Sequence, residues 1–131
     1  RDSERAVKLA KRVEAFNAVN HIVIVDNNNL QIDGTIDEVC SPYPIDEKFK
    51  AFKFHAINVD GHDYDSLDAA FKEARTIKGQ PTAIIAKTVK GKNVSFMENQ
   101  ASWHGNAPSD EQYAQAIAEL DKEIELLGGV C

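Results

Sequence analysis

Cysteine is scarce in this sequence, with only Cys40 and Cys131 among 131 residues. Neither has a second cysteine or a histidine at the short spacing that zinc sites use. Two thiols are also too few for the disulfide framework of a small secreted domain. We therefore predict two reduced thiols and a cytoplasmic protein.

Positive charge and long apolar segments are also in short supply. The net charge is −6, so the chain lacks the basic surface typical of nucleic-acid-binding proteins. No apolar run approaches the roughly 20 residues that a membrane-spanning helix needs, and no secretory signal is recognisable. These features argue against nucleic acids and membranes as partners.

The remaining composition is that of an ordinary globular domain. Hydrophobic residues make up 43% and charged residues 27% of the chain, which is close to the average for soluble domains. A chain of this length can bury a substantial core. We predict a single domain over residues 1–131.

Helical and strand-like segments alternate along the chain. Apolar, β-branched stretches predict three strands, at 21–26, 54–59 and 82–88. Strands separated by helical crossovers indicate a three-layer α/β fold, with a mostly parallel sheet and flanking helices. Residues 27–54 are predicted to be mostly irregular apart from a short helix over 46–52, and a long loop is predicted over 89–108.

Three longer helices are predicted from apolar residues at helical spacing. The first covers 3–17, the second ends before the Gly79-Gln80-Pro81 stop, and the last begins at Ser109, where Gln112 has capping-box spacing, and ends at Gly128. Their predicted buried stripes are, in chain order, Ala6, Leu9, Val13 and Phe16; Leu67, Ala70, Phe71, Ala74 and Ile77; and Tyr113, Ala116, Ile117, Leu120, Ile124 and Leu127.

Polar residues follow the carboxyl end of each predicted strand. They are Asp26-Asn27-Asn28, Asp60-Gly61-His62-Asp63 and Lys87, the last continued by a loop with Lys90, Lys92 and His104. In open parallel sheets, ligands bind beyond this end of the strands. The sequence therefore predicts a binding site along this edge.

The same residues also have purely structural interpretations. Asn28 belongs either to a turn or to a site for magnesium or calcium, which accept amide and main-chain carbonyl oxygens. Residues 60–63 are interpreted mainly as a turn and helix N-cap, with His62 as a less favoured metal ligand. The lysines of 87–93 are either solvated or face a phosphate, and Trp103 is either a buried anchor or part of a site.

Four segments in combination resemble one protein family. They are VDNNNLQIDG (25–34), INVDGHD (57–63), PTAIIAKTVKGKNVSFMEN (81–99) and SWHG (102–105). In this order they resemble the thiamine-diphosphate-binding domain of transketolases over residues 21–127, and look closest to the N-terminal subunit of split transketolases. Residues 1–20 are predicted to form a helix unlike the family. The resemblance implies the spatial strand order 21–26, 82–88, 54–59.

The resemblance also implies a cofactor site. Asn28 would bind a divalent metal, Mg²⁺ or Ca²⁺, through its side chain, and Leu30 would bind it through its carbonyl. Ile32, Lys87 and His104 would lie near thiamine diphosphate. The implied reaction transfers a two-carbon ketol unit between sugar phosphates. A pyrimidine-binding domain, on a partner subunit or a second copy in a homodimer, would carry the glutamate that activates the cofactor.

One family motif has no counterpart in this chain. The family supplies a metal carboxylate from a Gly-Asp-Gly sequence before the first of these strands, whereas the first glycine here is Gly34. Two hypotheses follow: a truncated portion of a transketolase-like enzyme, inactive as an isolated chain, or a non-catalytic or engineered α/β domain that keeps only the fold. The edge of strand 21–26 is expected to pair in a dimer or to be covered by the first helix.

Overall fold

The computed structural model describes residues 8, 11, 12 and 21–128. The predicted helix over 3–17 lies outside the described residues, except that Lys8, Lys11 and Arg12 are helical and exposed. None of the described helices is long and apolar enough to cross a membrane.

The chain divides into two compact units. The sheet unit contains residues 1–27 and 40–88, and the loop–helix unit contains residues 28–39 and 89–131. In chain order, the elements are β1 (Ile22–Asn27), β2 (Leu30–Gln31), β3 (Gly34–Thr35), α1 (Ile36–Val39), α2 (Ile45–Ala51), β4 (His55–Asp60), α3 (Tyr64–Thr76), β5 (Thr82–Lys87), a 3-10 helix (Ala101–His104) and α4 (Asp110–Leu126). The single domain over 1–131 stays a prediction.

The sheet unit confirms the predicted fold class and strand order. Its sheet has the order β1-β5-β4, and both pairings are parallel. In the register, Ile84 of the central strand lies between Ile24 of β1 and Ile57 of β4. Residues 82–86 are all buried, as expected of an apolar strand with a neighbour on each side.

Helices cover both faces of this sheet. On one face, Ala83 and Ile85 form a core with Phe54, against which Phe49 of α2 packs; the Phe49 and Phe54 rings meet edge to face at 5.2 Å.

Side chains alternate between faces along a strand, so His55 and Ile84 belong to the opposite face. There α3 packs on β4, and His55 Nε2 lies 2.5 Å from Glu73 Oε1. The predicted stripe of α3 is confirmed, since Ala70 and Ala74 are buried.

The continuous apolar run of the first strand is typical of a strand covered on both faces, but the described residues of β1 are not covered in this way. Ile22 is 40% and Ile24 is 57% exposed, and exposed residues alternate with half-buried ones along β1. The cause is the sheet order: β1 is an edge strand, and α3 packs on the distant strand β4. The continuous apolar sequence of β1 is therefore not a sign that its side chains are buried.

The loop–helix unit contains order where the sequence indicates mostly irregular chain. Within residues 27–54, β2 and β3 form a short antiparallel pair, and α1 follows directly with Ile36 buried. Two-residue strands are too short to show an alternating pattern. This part of the prediction is therefore corrected.

The predicted termini of α4 are confirmed, but its predicted buried stripe is wrong. Ser109 and Gln112 form the capping box, and Gly128 follows the helix with a φ of 92°. Of the predicted stripe, however, only Ala116 is buried, whereas Tyr113, Ile117, Ile124 and Leu127 are 61%, 39%, 52% and 80% exposed. Within its own unit, α4 contacts the loop through the side carrying Gln115 and Glu119, so much of the apolar stripe faces away.

Candidate functional site

The carboxyl ends of the three parallel strands align at one edge of the sheet. Asn27 of β1 pairs in register with Lys87 of β5, which in turn pairs with Asp60 of β4. Lys87 and Asp60 are exposed. A cation, a carboxylate and an amide therefore lie side by side where open parallel sheets bind ligands.

Two further side chains order this edge, and sequence analysis missed both. The Tyr43 hydroxyl donates a hydrogen bond to Asn27 Oδ1 over 2.8 Å, and the Thr88 hydroxyl donates to the Asp26 carboxylate. Tyr43 lies between two prolines in the segment SPYP (41–44), and prolines indicate only that regular structure is interrupted there. Its contact lies 16 residues away in sequence, beyond the reach of a local pattern.

Gly61 permits β4 and β5 to end close together. Its N–H donates to the Lys87 carbonyl over 2.7 Å. A Cβ at this position would lie 2.5 Å from Thr88 Cγ2 and 3.0 Å from the Lys87 carbonyl oxygen. The glycine is thus required by the backbone's close approach beside Lys87.

We expect Gly61→Ala to destabilise the chain by about 1–3 kcal/mol, the usual cost of forcing an extra methyl into a packed site. Gly105→Ala is the matched control, because a Cβ there meets nothing within 4 Å and its φ is −135°; its change should stay within about 0.5 kcal/mol. Urea unfolding followed by circular dichroism measures both. Equal stabilities for the two variants would contradict the close approach.

The segment that follows β4 is a turn and a helix cap, as its structural interpretation predicts. Asp60 Oδ1 accepts a hydrogen bond from the His62 N–H over 2.9 Å. Asp63 caps α3, accepting from the N–H groups of Asp65 and Ser66. Hydrogen bonds from the Ser66 hydroxyl and N–H lower the pKa of Asp63. Its capping contribution is therefore present at neutral pH and is lost as the pH falls through this lowered pKa.

Each of the three consecutive asparagines has a separate role. Asn27 accepts from Tyr43 at the sheet edge. Asn28 Oδ1 accepts from the Leu30 N–H over 2.9 Å, closing a turn. Asn29 has a φ of 62°, a left-handed conformation that asparagine tolerates, and its carbonyl accepts from the Ile36 N–H. Ile32, which the family resemblance places near the cofactor, is 68% exposed.

Asn28 and Leu30 offer only some of the ligands that a metal ion needs. An amide oxygen and a main-chain carbonyl are acceptable ligands for magnesium or calcium, and Asn28 Oδ1 keeps a second lone pair beyond its bond to Leu30. Both ligands are neutral, however. Among the described residues, no group of three or more His, Cys, Asp or Glu side chains is placed to hold a metal ion.

The lysine-rich start of the long loop is ordered by its own contacts. Lys92 Nζ lies 3.6 Å from Glu98 Oε1, and the same carboxylate accepts from the Asn93 N–H over 2.9 Å. Gly91 has a φ of 70°, and a Cβ there would lie 2.6 Å from the Met97 carbonyl oxygen. Lys92 is therefore part of the loop's structure, whereas Lys87 lies at the sheet edge.

His104 ends the 3-10 helix of the same loop and is exposed. The preceding Trp103 is half-buried, and its indole N–H donates to the Phe96 carbonyl over 3.0 Å. The Phe96 and Trp103 rings also meet edge to face at 5.4 Å. The tryptophan is an anchor, as its structural interpretation predicts, and it fixes the backbone next to His104.

Comparison with known proteins gives consistent matches. Residues 3–124 match the family described as "Transketolase, thiamine diphosphate binding domain"; the match begins upstream of the resemblance over 21–127. The chain is 36% identical over 102 residues to the 6-deoxy-6-sulfo-D-fructose transketolase subunit SqwG of Clostridium sp. (strain MSTE9), covering 78% of this chain and 37% of that protein. It is 35% identical over 108 residues to an apulose-4-phosphate transketolase subunit of Phocaeicola vulgatus, covering 82% and 38%.

A solved structure supports the fold assignment. Transketolase from Campylobacter jejuni superposes with a TM-score of 0.72 at 26% identity, covering 82% of this chain and 18% of that chain. The chain therefore spans less than two fifths of the length of each of these three proteins.

Proposed function

Because the chain belongs to the transketolase family, through its thiamine diphosphate binding domain, we propose that it forms part of the cofactor site of a ketol-transferring enzyme. In this proposal the enzyme moves a two-carbon ketol unit between sugar phosphates. Thiamine diphosphate supplies the carbanion-stabilising chemistry that such a transfer requires. The residues of this chain bind and orient the cofactor.

The proposed roles divide between the metal and the cofactor. Asn28 Oδ1 and the Leu30 carbonyl hold Mg²⁺, which neutralises charge on the diphosphate. Lys87 attracts a phosphate group as an exposed cation at the sheet edge. Ile32 provides an apolar contact to the cofactor, and His104 lies near the cofactor and the sugar.

The observation that carries the proposal is the position of Lys87. It ends the central strand between Asn27 and Asp60, and the loop that leaves this strand leads to His104. The carboxyl end of a central parallel strand is a typical position for a ligand-binding residue. Membership of a thiamine-diphosphate-binding family supports thiamine diphosphate as the ligand proposed for that position.

We also propose that a partner chain completes the site. Two of the relatives are named as transketolase subunits, which supports a second subunit carrying the pyrimidine-binding domain. A homodimer would serve the same purpose. In either case the partner supplies the glutamate that activates the cofactor.

A second candidate is a domain that keeps the fold without the chemistry. It is favoured by the Asn28 side chain, whose oxygen already closes a turn with Leu30, and by the neutral character of both metal ligands. This candidate predicts no metal-dependent cofactor binding. The two candidates therefore differ in a single measurable property.

Calorimetric titration with thiamine diphosphate, with and without Mg²⁺, separates them. We expect weak binding that requires Mg²⁺, with a Kd of order 1 mM, which corresponds to about −4 kcal/mol. Lys87→Ala should weaken the binding further. Lys72→Ala is the matched control, because Lys72 is an exposed lysine that pairs with Asp68 on α3.

Two results would decide against the proposed role. Absence of any Mg²⁺-dependent heat at millimolar cofactor would favour the non-catalytic domain. Equal affinity of the Lys87→Ala and Lys72→Ala variants would show that the sheet edge is not the phosphate site.

A further inference from the structure

The loop–helix unit contains a polar cluster of its own, formed by Ser95, Gln115 and Glu119. The Glu119 carboxylate on α4 accepts from the Ser95 N–H over 2.6 Å and from the Ser95 hydroxyl over 2.7 Å. Gln115 Nε2 donates to the same carboxylate over 2.8 Å. Three donors thus converge on one carboxylate, in a contact that joins positions 24 residues apart.

This carboxylate is suited to hold the loop. Hydrogen bonds to charged groups are stronger than bonds between neutral groups. The Ser95 N–H, the Gln115 amide and the Ser95 hydroxyl together lower the pKa of Glu119. The side chain is therefore ionised at neutral pH and accepts all three bonds.

The contacts continue from Ser95 to His104. Phe96 follows Ser95 directly, and its carbonyl and ring both contact Trp103. Trp103 directly precedes His104, and both belong to the 3-10 helix. Glu119 thus fixes Ser95, Ser95 carries Phe96, and Phe96 anchors the residue beside His104.

The chain that follows His104 is also held by hydrogen bonds. Ser102 accepts a hydrogen bond on its carbonyl from Asn106 Nδ2 over 2.7 Å. Ser109 then begins α4 with a capping box. The helix that follows carries Glu119, which contacts Ser95. This contact closes the segment from 95 to 119, and His104 is part of that segment.

We propose that Glu119 is a positioning residue that, through Ser95, Phe96 and Trp103, holds the backbone bearing His104 in place. The inference deepens the proposed function, because it assumes that His104 serves the cofactor site. It assigns to α4 a task beyond packing. Trp103 transmits the position, and neither Glu119 nor Trp103 needs to touch a ligand.

The chain offers a direct readout, because Trp103 is its only tryptophan. Indole fluorescence and the indole N–H resonance therefore report this site alone. We expect Glu119→Ala to shift both signals and the His104 ring resonances at temperatures where the protein is fully folded. Indole hydrogen exchange should accelerate about tenfold or more, as expected when a local structure opens.

Glu123→Ala is the matched control, since Glu123 is an exposed glutamate one turn further along α4. It should leave the Trp103 and His104 signals unchanged. Ser95→Ala removes the hydroxyl but keeps the N–H, so it should shift the same signals in the same direction by a smaller amount. This variant keeps the test decisive if Glu119→Ala does not fold.

A purely stabilising role predicts a different pattern. If Glu119→Ala lowers the melting temperature but leaves the folded-state Trp103 and His104 signals unchanged, the positioning role is refuted. An unfolded Glu119→Ala together with unchanged signals in Ser95→Ala would refute it equally. None of these readouts uses a cofactor, so a failure of cofactor binding is a separate result.

Discussion

Replacing Ile85 with aspartate is expected to abolish the cooperative unfolding transition of this chain. Ile85 is 3% exposed and belongs to the core with Phe54 and Ala83. An ionised carboxylate placed there without a partner costs several kcal/mol. Losing the packing of the buried isoleucine side chain costs about 2–5 kcal/mol more. Small domains are stable by only about 5–15 kcal/mol in total, so the two losses together remove most of the stability.

Ile24→Asp is the matched control. Ile24 lies on the neighbouring strand, in register with Ile84, and is 57% exposed. A carboxylate at that position remains largely in water, so the change in stability should be small. Thermal unfolding followed by circular dichroism compares the two variants. A cooperative transition in Ile85→Asp would show that Ile85 is not buried in the core and that its strand is not the central one.

The second large effect is an expected lack of turnover. We predict that this chain alone, supplied with thiamine diphosphate and Mg²⁺, does not transfer ketol units between sugar phosphates. The proposed metal ligands, Asn28 and Leu30, are both neutral, and the family's Gly-Asp-Gly carboxylate has no counterpart before Gly34. In our proposal the activating glutamate is carried by a partner chain and not by this one.

The size of the effect follows from electrostatics. In the proposed site the metal clamps the diphosphate, so a weak metal site lowers the affinity for the cofactor, about tenfold for each 1.4 kcal/mol lost. A loss of about 4 kcal/mol in metal-assisted binding should therefore lower the rate about a thousandfold when the cofactor is limiting. Lys87 attracts a phosphate only weakly, since it is exposed to water.

A coupled ketol-transfer assay on the purified chain tests this prediction. We expect a rate equal to that of buffer with cofactor and metal. Turnover that disappears in both Asn28→Ala and His104→Ala would refute the prediction, because it would show that the residues of this chain suffice for the reaction.

Much of the fold follows from local sequence signals. The helix caps at Asp63 and Ser109 are confirmed, because the capping residue and its partners lie within three positions of one another. The strand order required more than periodicity. Parallel pairing followed from the crossovers, whereas the central position of Thr82–Lys87 was implied by the family resemblance.

Burial was less predictable than secondary structure. Apolar spacing shows which side chains share a face, but it does not show whether another element packs there. The sequence therefore indicates the amphipathic face of α4 correctly and overestimates its burial, as the exposed Ile124 shows. For the same reason, the apolar run of β1 indicates a buried strand although Ile24 is exposed.

The site was predictable only at the level of its individual segments. Polar residues after each strand pointed to the sheet edge, and the register of Asn27, Lys87 and Asp60 agrees with this. Contacts between distant positions left no local signal. The bonds of Tyr43 to Asn27 and of Glu119 to Ser95 join residues 16 and 24 positions apart, and only a three-dimensional structure reveals them.

The most direct test of the proposed cofactor site is chemical-shift mapping of the ¹⁵N-labelled chain during titration with thiamine diphosphate and Mg²⁺. We expect Mg²⁺-dependent shifts of the amides of Asn28, Leu30, Lys87 and His104. No shifts are expected in the open groove at the amino end of the strands, which is lined by residues including His21, Ile22 and Gln80. Shifts confined to that groove, or none at all at saturating metal and millimolar cofactor, would contradict the central claim.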